Sequence, residues 1–370
     1  MKHISFLIKP ASSLCNMRCR YCFYADVSAH REVKSHGVMQ PQTMRALIDR
    51  ALGLGEDAEV TFAFQGGEPT LAGLEFFRDF TRYVSDHRIK QTIHYALQTN
   101  GYLVDKEWAE FFHENNFLVG VSLDGYRDLH NWLRPDAAQE GTYDRVMHAI
   151  ELLRAAQVDF NVLTVLTAQL AKHPQKVYKF YRQHKLDYVQ LIPCLPGFDD
   201  EEGDEFSLTP EAFASFYKAF FRLWTEDFRR GHYMSVTLFD NVIPLFRGYP
   251  PQQCGMLGRC APQFVVESNG DVYPCDFYVL DQYRCGNVQT DSLEEELQAL
   301  ERCLLPPRLL RLPRLLGIRR ARDAADRPLA ITSAYLRERQ PATSPASVMV
   351  PAATTSLPAA VNASRSSSTQ

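Results

Sequence analysis

The chain is organised around the stretch Cys15-Asn16-Met17-Arg18-Cys19-Arg20-Tyr21-Cys22, which places three cysteines in eight residues. The stretch follows a first predicted strand at residues 5–9, so all three thiols lie on one short loop. Thiolates are the usual protein ligands of iron-sulfur clusters, and a four-iron cluster held by three of them leaves one iron without a protein ligand. An open coordination position is what metal chemistry on a substrate needs. The spacing therefore predicts a reactive cluster on this loop.

Two other kinds of cysteine site remain open at this point. A structural zinc ion normally takes four ligands, whereas this loop supplies three and has no obvious histidine partner nearby. A disulfide framework is typical of secreted proteins, and residues 1–10 do not read as a secretory signal. The nine cysteines instead cluster mainly at two places, which suits metal binding in a reducing compartment. We therefore expect a cytoplasmic protein.

Composition sets the broad class. The chain has 370 residues, 45% of them hydrophobic and 23% charged, which is enough for one large core and a second small one. No apolar segment approaches membrane-spanning length, so no membrane partner is expected. The net charge of -4 is unevenly distributed along the chain. Residues 1–303 carry 30 basic and 41 acidic side chains, and residues 304–370 carry 10 basic and 3 acidic ones. An acidic body argues against nucleic acid as a partner.

Short β-rich runs alternate with amphipathic helical stretches, which is the pattern of parallel βαβ units in an α/β fold. Strands are predicted at residues 5–9, 60–65, 94–99, 118–123, 161–166 and 189–193. Helices are predicted at residues 41–54, 73–87, 106–114, 143–156 and 173–184, and an aromatic-rich helix at 210–230. Six such units favour a partial (β/α)6 barrel over a closed eight-stranded one.

The predicted strands end in polar or glycine-rich sequences that a plain core does not need. In such barrels the chemistry lies at the carboxyl ends of the strands. Strand two ends in Gln65-Gly66-Gly67-Glu68-Pro69-Thr70, where two glycines let the backbone approach a ligand closely. Strand four ends near Ser122, whose hydroxyl can hydrogen-bond a ligand, and the later Arg134 is suited to pairing with a carboxylate. Each of these segments is also an ordinary turn or loop sequence.

The CxxxCxxC spacing, with an aromatic residue before the third cysteine, resembles the cluster loop of the radical S-adenosylmethionine (radical SAM) enzymes. In that family the unique iron chelates the amino and carboxyl groups of the cofactor, and an electron splits its sulfonium to a 5'-deoxyadenosyl radical. The resemblance implies a 4Fe-4S cluster on Cys15, Cys19 and Cys22, with S-adenosylmethionine as cofactor. It also implies a cofactor pocket lined by Tyr21, Gly66, Ser122, Arg134 and Leu195. The Gly-Gly-Glu-Pro edge would receive the amino group of the cofactor.

A second cysteine group lies downstream, at Cys254, Cys260 and Cys275. Residues 264–267 and 272–274 read as two strands of a hairpin around an Asn-Gly turn, which would bring the flanking cysteines together. The spacing Cys-x9-Gly-x4-Cys resembles the opening of the SPASM domain, a C-terminal extension of radical SAM enzymes that act on peptides. The resemblance implies that these three cysteines bind an auxiliary 4Fe-4S cluster.

The two cysteine groups, with Asp276 directly after the last cysteine, together resemble the anaerobic sulfatase-maturating enzymes up to about residue 300. Those enzymes oxidise an active-site cysteine or serine of a sulfatase to formylglycine. The resemblance implies that Asp276 is the catalytic base, because the thiol or hydroxyl proton of the substrate needs an acceptor. It also implies a sulfatase polypeptide as partner and an electron donor such as flavodoxin or ferredoxin. From the sequence alone, Asp276 is equally suited to capping a turn.

The chain departs from this family after the hairpin. The downstream CxxCxxxxxCxxxC run, expected to complete the first auxiliary cluster and bind a second, has no counterpart, because only Cys285 and Cys303 remain. The first auxiliary cluster then either uses Cys285 or stays three-coordinated. The second auxiliary cluster has no visible ligands.

Composition also changes abruptly after Cys303. Residues 304–370 contain ten arginines but no lysine, phenylalanine, tryptophan, histidine or cysteine, and they end in a stretch rich in Ala, Pro, Ser and Thr. Such a tail cannot bury a core and is expected to be disordered. One interpretation is a basic docking arm. Our hypothesis is an out-of-frame translation of a GC-rich gene, which would also remove the missing cysteines.

These patterns predict three regions: a radical SAM partial barrel at residues 1–235, an incomplete SPASM-like domain at 236–303, and a disordered tail at 304–370. They favour an enzyme that oxidises a sulfatase cysteine or serine to formylglycine, with an activity compromised by the missing cysteines. One alternative is another SPASM-type peptide modifier, for example one that forms thioether links. The other is a degenerate cluster-binding protein without catalysis.

Overall fold

The computed structural model describes residues 3–200, 202–254, 256, 263–292, 295–296 and 298–299. Six parallel strands lie in chain order at its centre. They are β1 (His3–Ile8), β2 (Glu59–Phe64), β3 (Thr92–Thr99), β4 (Phe117–Ser122), β5 (Phe160–Leu166) and β6 (Tyr188–Pro193). Each strand lies within two residues of its predicted bounds, and the sheet of the described residues does not close on itself. The prediction of a partial (β/α)6 barrel is confirmed.

Helices connect the strands. They are α1 (Phe23–Ala29), α2 (Pro41–Leu52), α3 (Leu74–His87), α4 (Lys106–Glu114), α5 (Arg127–Leu133), α6 (Tyr143–Ala155), α7 (Ala168–Ala171), α8 (Pro174–Gln183), α9 (Pro210–Arg229) and α10 (Thr237–Leu245). Six of them, α2, α3, α4, α6, α8 and α9, were predicted from their sequence. The other four have nine residues or fewer, so they contain too few turns to show a clear apolar period. No helix of the described residues is long and apolar enough to cross a membrane.

The main core lies between the sheet and the helices that pack on it. Phe62 and Phe64 of β2 meet Phe77 and Phe80 of α3, with ring centroids 4.9 Å apart for Phe64–Phe77 and 5.0 Å for Phe62–Phe80. All four rings are buried, and burying a phenylalanine side chain contributes roughly 1.5–3 kcal/mol. This packing holds β2 and its glycine-rich carboxyl end in a fixed position.

The predicted hairpin is present, but it belongs to the same sheet as the barrel. Its first strand, β8 (Phe264–Val266), pairs parallel with β1, and β9 (Asp271–Tyr273) pairs antiparallel with β8. A short β10 (Gly286–Asn287) continues this edge, and β7 (Ser235–Val236) extends the other edge beside β6. The second cysteine region is therefore joined to the first strand of the barrel by backbone hydrogen bonds.

Candidate active site

The cysteine loop follows β1 and rests on the glycine-rich end of β2. The amide of Gly67 donates to the Ser12 carbonyl at 3.0 Å, and the amide of Glu68 donates to the Leu14 carbonyl at 2.7 Å. A Cβ atom at Gly67 would come within 2.8 Å of the Leu14 carbonyl carbon and would overlap the carbonyl oxygen. The two glycines predict that another group approaches the backbone closely here. At Gly67, that group is the backbone of the cysteine loop. Gly66, with φ +143, lies at the same edge, and its role toward the cofactor stays a prediction.

Glu68 ties this edge to the next strand, a role that the sequence did not reveal. Its buried carboxylate accepts hydrogen bonds from the Thr70 amide at 3.1 Å, and from the Thr70 and Thr99 hydroxyls and the Asn100 amide, each at 2.7 Å. Burial raises the pKa of Glu68, and the four donors oppose that rise. The carboxylate thus fixes the ends of β2 and β3 relative to each other.

Arg134 lies beside the cysteine loop, in a buried cluster of polar side chains. Its Nε donates to Asp124 Oδ2 at 2.8 Å, and its Nη1 lies 3.8 Å from the Sγ of Cys19. The hydroxyl of Tyr21 donates to the same Asp124 oxygen, and the guanidinium carbon lies 5.5 Å from the centre of the Tyr21 ring. Two of the predicted pocket residues, Tyr21 and Arg134, are therefore brought together, with Asp124 between them.

His130 contacts the residues that hold Arg134 and Asp124. It was not predicted from the sequence. Its Nδ1 accepts the Asp124 amide at 3.2 Å, and its Nε2 lies 3.1 Å from Thr142 Oγ1, which itself donates to the Arg134 carbonyl at 2.7 Å. The side chain is fully buried, and burial lowers the pKa of His130 to about 3. Because Nδ1 is an acceptor, the ring is a neutral imidazole that donates through Nε2.

Ser122 and Leu195 lie at the carboxyl ends of parallel strands, β4 and β6, which meet at one edge of the sheet. Ser122 Oγ accepts a hydrogen bond from Gln98 Nε2 at 3.1 Å. Their contacts with a cofactor stay predictions. Cys194, beside Leu195, is buried in an apolar cluster with Leu133 and Phe206, and burial raises its pKa to about 12.

The three thiols of the loop fit an iron-sulfur cluster by their chemistry. Burial raises the pKa of Cys15 to about 11 and that of Cys19 to about 12, so each needs a cation nearby to become a thiolate, and iron supplies that charge. The Met17 amide donates to Cys15 Sγ at 3.4 Å, which is the kind of donor that a cluster thiolate accepts. Within the described part of the chain, no three His, Cys, Asp or Glu side chains are grouped to hold a single metal ion.

Asp276 lies in a second buried polar group, together with Lys9, Tyr24 and Gln65. Lys9 Nζ donates to Oδ1 at 2.7 Å, and the Tyr24 hydroxyl donates to Oδ2 at 2.6 Å, with Gln65 Nε2 3.4 Å from the same oxygen. The side chains of Lys9 and Asp276 are 4% and 5% exposed. The carboxylate is thus held by three side chains of the barrel.

Asp276 was predicted from the sequence, but none of its three partners was. Lys9 precedes it by 267 residues, and no local spacing connects them. Burial first, and then the charge of Asp276, raise the pKa of Tyr24 well above its ordinary value, so this phenol stays a donor. Lys9 and Gln65 are polar residues that directly follow β1 and β2. Their positions at the strand ends were the sequence signal that could have identified them as partners of Asp276.

The second cysteine group is described only in part. Cys254 is exposed, and Cys275 and Cys285 are partly buried, with Cys285 Sγ 3.4 Å from the Tyr283 carbonyl. The predicted ligand Cys260 lies outside the described residues, as do Cys303 and the tail at 304–370. The predicted approach of Cys260 to Cys275 and the predicted disorder of the tail therefore stay predictions.

A three-cysteine loop after the first strand of an open, six-stranded parallel barrel defines a radical SAM protein. The radical SAM superfamily model matches residues 10–181, and the model of the iron-sulfur cluster-binding SPASM domain matches residues 258–301. The chain is 43% identical over 297 residues to the cysteine-type anaerobic sulfatase-maturating enzyme of Clostridium novyi, a match that covers 80% of this chain and 79% of that protein. The chain belongs to the family of anaerobic sulfatase-maturating enzymes.

Two further similarities refine this picture. The serine-type anaerobic sulfatase-maturating enzyme of Bacteroides thetaiotaomicron is 30% identical over 314 residues, covering 80% of this chain and 75% of that protein. The solved structure of native anSMEcpe with bound AdoMet and Kp18Cys peptide gives a TM-score of 0.77 at 42% identity, covering 82% of this chain and 83% of that one. The chain is accordingly a radical SAM oxidoreductase, whose cofactors are S-adenosylmethionine and 4Fe-4S clusters.

Proposed function

We propose that this protein oxidises an active-site cysteine of a sulfatase to formylglycine under anaerobic conditions. The observation that carries the proposal is the buried carboxylate of Asp276, held by Lys9 and Tyr24 in the same barrel as the cysteine loop. When bound, the cluster and S-adenosylmethionine supply the one-electron chemistry that removes a hydrogen atom from the substrate β-carbon. The chain's own task is to position the peptide and to take up its thiol proton. The second electron of the oxidation would pass to a bound iron-sulfur cluster, and water would then convert the thioaldehyde to the aldehyde with release of hydrogen sulfide.

We assign the cluster to Cys15, Cys19 and Cys22 and the cofactor pocket to five residues in the cysteine loop, at the strand ends and after α5. These are Tyr21, Gly66, Ser122, Arg134 and Leu195. Asp124 holds the Nε edge of the Arg134 guanidinium, which fixes its direction beside the cysteine loop. A guanidinium so fixed is suited to a carboxylate such as that of the cofactor.

Asp276 is assigned as the base. Lys9 Nζ donates to one oxygen of this carboxylate at 2.7 Å, and the Tyr24 hydroxyl donates to the other at 2.6 Å. A charged carboxylate can accept the substrate proton if the thiol comes within hydrogen-bond reach. Lys9 and Tyr24 are therefore positioning residues for Asp276.

A cysteine rather than a serine is proposed as the target because identity is 43% to the cysteine-type relative and 30% to the serine-type one. Flavodoxin or ferredoxin is proposed as the electron donor, and the cytoplasm, where such donors occur, as the location. One auxiliary cluster is proposed on Cys254, Cys260 and Cys275.

The experiment compares two peptides with the same sulfatase sequence, one carrying cysteine and the other serine at the target position. The anaerobically reconstituted full chain is incubated with each peptide, S-adenosylmethionine and reduced flavodoxin, and the products are identified by mass. We expect formylglycine from the cysteine peptide and about tenfold less from the serine peptide, a ratio that corresponds to about 1.4 kcal/mol. A protein that cleaves S-adenosylmethionine but leaves both peptides unchanged would contradict the proposal.

A further inference from the structure

The side chain of Asn100, directly after β3, contacts the cysteine loop. Asn100 is 7% exposed, and its Nδ2 lies 2.8 Å from Asn16 Oδ1 and 3.8 Å from the Sγ of Cys15. A side-chain amide nitrogen carries two hydrogens, so it can serve both acceptors at once. Asn100 is thus a side chain of the barrel that donates to a sulfur of the loop.

The orientation of this amide is fixed by its other bonds. Asn100 Oδ1 accepts the Tyr102 amide at 2.9 Å, and since a backbone N–H needs an acceptor, the oxygen must face Tyr102 and the nitrogen must face the loop. The Asn100 backbone amide donates to Glu68 Oε2 at 2.7 Å. Glu68 therefore holds the residue in place from one side, and Asn16 holds its amide from the other.

A donor at a cluster sulfur acts on the reduction potential. Reduction adds negative charge to the cluster and its thiolates, and a hydrogen bond to sulfur stabilises the more negative form more than the oxidised one. Hydrogen bonds to the sulfurs are among the features that set the potential of iron-sulfur clusters. Removing such a donor makes the cluster harder to reduce.

We infer that Asn100 is a positioning residue that raises the reduction potential of the N-terminal cluster through its hydrogen bond to Cys15. The Tyr102 amide and Asn16 keep the side-chain amide in the donating orientation, and Glu68 holds the backbone of Asn100. The inference rests on the cluster that the proposed function places on this loop, and it is independent of which peptide the enzyme modifies.

Asn100→Ala and Asn100→Asp test the inference by removing the donor. Asn100→Asp keeps an oxygen that can accept the Tyr102 amide, so the turn after β3 is preserved. Asn115→Ala is the matched control, because Asn115 Nδ2 donates at 2.9 Å to the Phe111 carbonyl at the end of α4. The full chain is reconstituted anaerobically, and the N-terminal cluster is recognised as the one whose EPR signal changes when S-adenosylmethionine is added.

An EPR-monitored redox titration without cofactor or peptide then gives the midpoint of that cluster. We expect Asn100→Ala to reduce the equilibrium constant for reduction about tenfold, which for one electron is a shift of about 59 mV to more negative potential. Asn100→Asp shifts the midpoint further in the same direction, since it adds negative charge, and Asn115→Ala has the wild-type midpoint. Midpoints in both Asn100 variants equal to that of the wild type would overturn the inference.

A second measurement covers the case in which neither Asn100 variant assembles its cluster. The wild-type protein is labelled with ¹⁵N in its asparagine side chains and studied by pulsed EPR in the reduced state. A ¹⁵N coupling to the N-terminal cluster that persists in Asn16→Asp, which removes the Asn16 label, supports the hydrogen bond, and its absence overturns it. Failure of the proposed function can be distinguished from failure of this inference. If only the proposed function is wrong, the peptide stays unmodified while the Asn100 variants still show the midpoint shift.

Discussion

Asp276 directly follows the hairpin, where an aspartate is usually exposed, but its side chain is buried. A buried carboxylate is costly unless a partner offsets its charge, and breaking a buried pair typically costs 3–5 kcal/mol. Lys9 supplies that partner, while Tyr24 and Gln65 occupy the second oxygen. Three side chains of the barrel therefore fix the position of this buried carboxylate.

Replacing this carboxylate by its amide separates two activities. Asp276→Asn keeps the shape of the side chain but removes the proton acceptor, so formylglycine formation falls by 10²-fold or more, in the range typical of general bases. Cleavage of S-adenosylmethionine continues, because the cysteine loop is untouched. Product analysis by mass and 5'-deoxyadenosine measured by chromatography check both statements. Asp281→Asn, an exposed aspartate that accepts the Glu32 amide, is the control; equal loss of both products in Asp276→Asn contradicts the role assigned to Asp276.

Tyr24→Phe tests the hydrogen bond to the same carboxylate. The Tyr24 hydroxyl stays protonated, because burial raises its pKa well above the ordinary value, so its loss is the loss of a donor. A hydrogen bond to a charged group is worth about 1.5–3 kcal/mol. We expect a decrease of roughly tenfold in formylglycine formation with the yield of 5'-deoxyadenosine unchanged. A variant as active as the wild type would show that Asp276 does not need this donor.

At the scale of elements, the end of β2 decides where the cysteine loop lies. Gly67 lets the loop backbone approach so closely that its carbonyls accept the Gly67 and Glu68 amides. Helix α5 carries His130 and ends next to Arg134. His130 accepts the Asp124 amide and Arg134 donates to the Asp124 carboxylate, so hydrogen bonds connect the helix to the segment after β4. Arg134 also contacts the cysteine loop at Cys19. Changes in either element are therefore expected to reach the cluster.

Gly67→Ala places a methyl group where the Leu14 carbonyl oxygen lies. Since backbone must move to accommodate it, we expect a loss of about 3 kcal/mol in stability and less bound iron after reconstitution. Gly231→Ala is the control, because a Cβ atom there meets nothing within 4 Å and the positive φ costs about 1 kcal/mol. Iron content and unfolding by urea measure the two effects. Full iron content in Gly67→Ala contradicts this account of the loop.

His130 predicts a pH dependence of stability. Its native pKa of about 3 lies below the ordinary value of 6.5, so between these pH values the unfolded chain binds a proton that the native protein does not. Stability therefore falls as the pH falls below 6.5, by up to about 1.4 kcal/mol per pH unit from this residue. In His130→Gln this contribution disappears, so its stability falls less steeply between pH 6.5 and pH 5.5 in anaerobic urea unfolding. Parallel slopes for the two proteins would show that His130 is not buried as a neutral ring.

The sequence predicted the strands and the long helices well because apolar period and turn residues are local signals. Short α1 and α5 escaped prediction, although they carry Tyr24 and His130, because one or two turns show no period. The cysteine groups were recognised from their spacing, which is also local, and Asp276 from the resemblance to the sulfatase-maturating enzymes. Lys9, Gln65 and Glu68 were not, since their partners come from distant strands that only the fold brings together.

At the scale of the whole molecule, the hairpin makes the second cysteine region part of the barrel sheet. Val266 of β8 pairs with Ile8 of β1, and Lys9 donates its amide to the Val266 carbonyl at 2.8 Å. The proposed boundary at residue 235 therefore separates two regions that share one sheet. This continuity is what brings Asp276, far along the chain, into the barrel beside Lys9.

The missing downstream cysteines lead to a prediction about the gene. If the tail is out of frame, translation of the DNA beyond codon 300 in one of the two other frames gives a CxxC pair followed by further cysteines. A corrected chain then binds more iron per polypeptide than the present one, because a second auxiliary cluster gains ligands. DNA sequencing and iron analysis check this. If neither frame contains such a run, the basic docking arm is the remaining interpretation of the tail.

The most direct test of the whole account is the reductive cleavage of S-adenosylmethionine by the anaerobically reconstituted full chain. The account predicts that dithionite-reduced protein releases 5'-deoxyadenosine and that Cys22→Ala releases none, because three thiolates are needed to leave one iron free for the cofactor. A wild-type protein that carries zinc on Cys15, Cys19 and Cys22, or that holds a reduced cluster there and forms no 5'-deoxyadenosine, would contradict it.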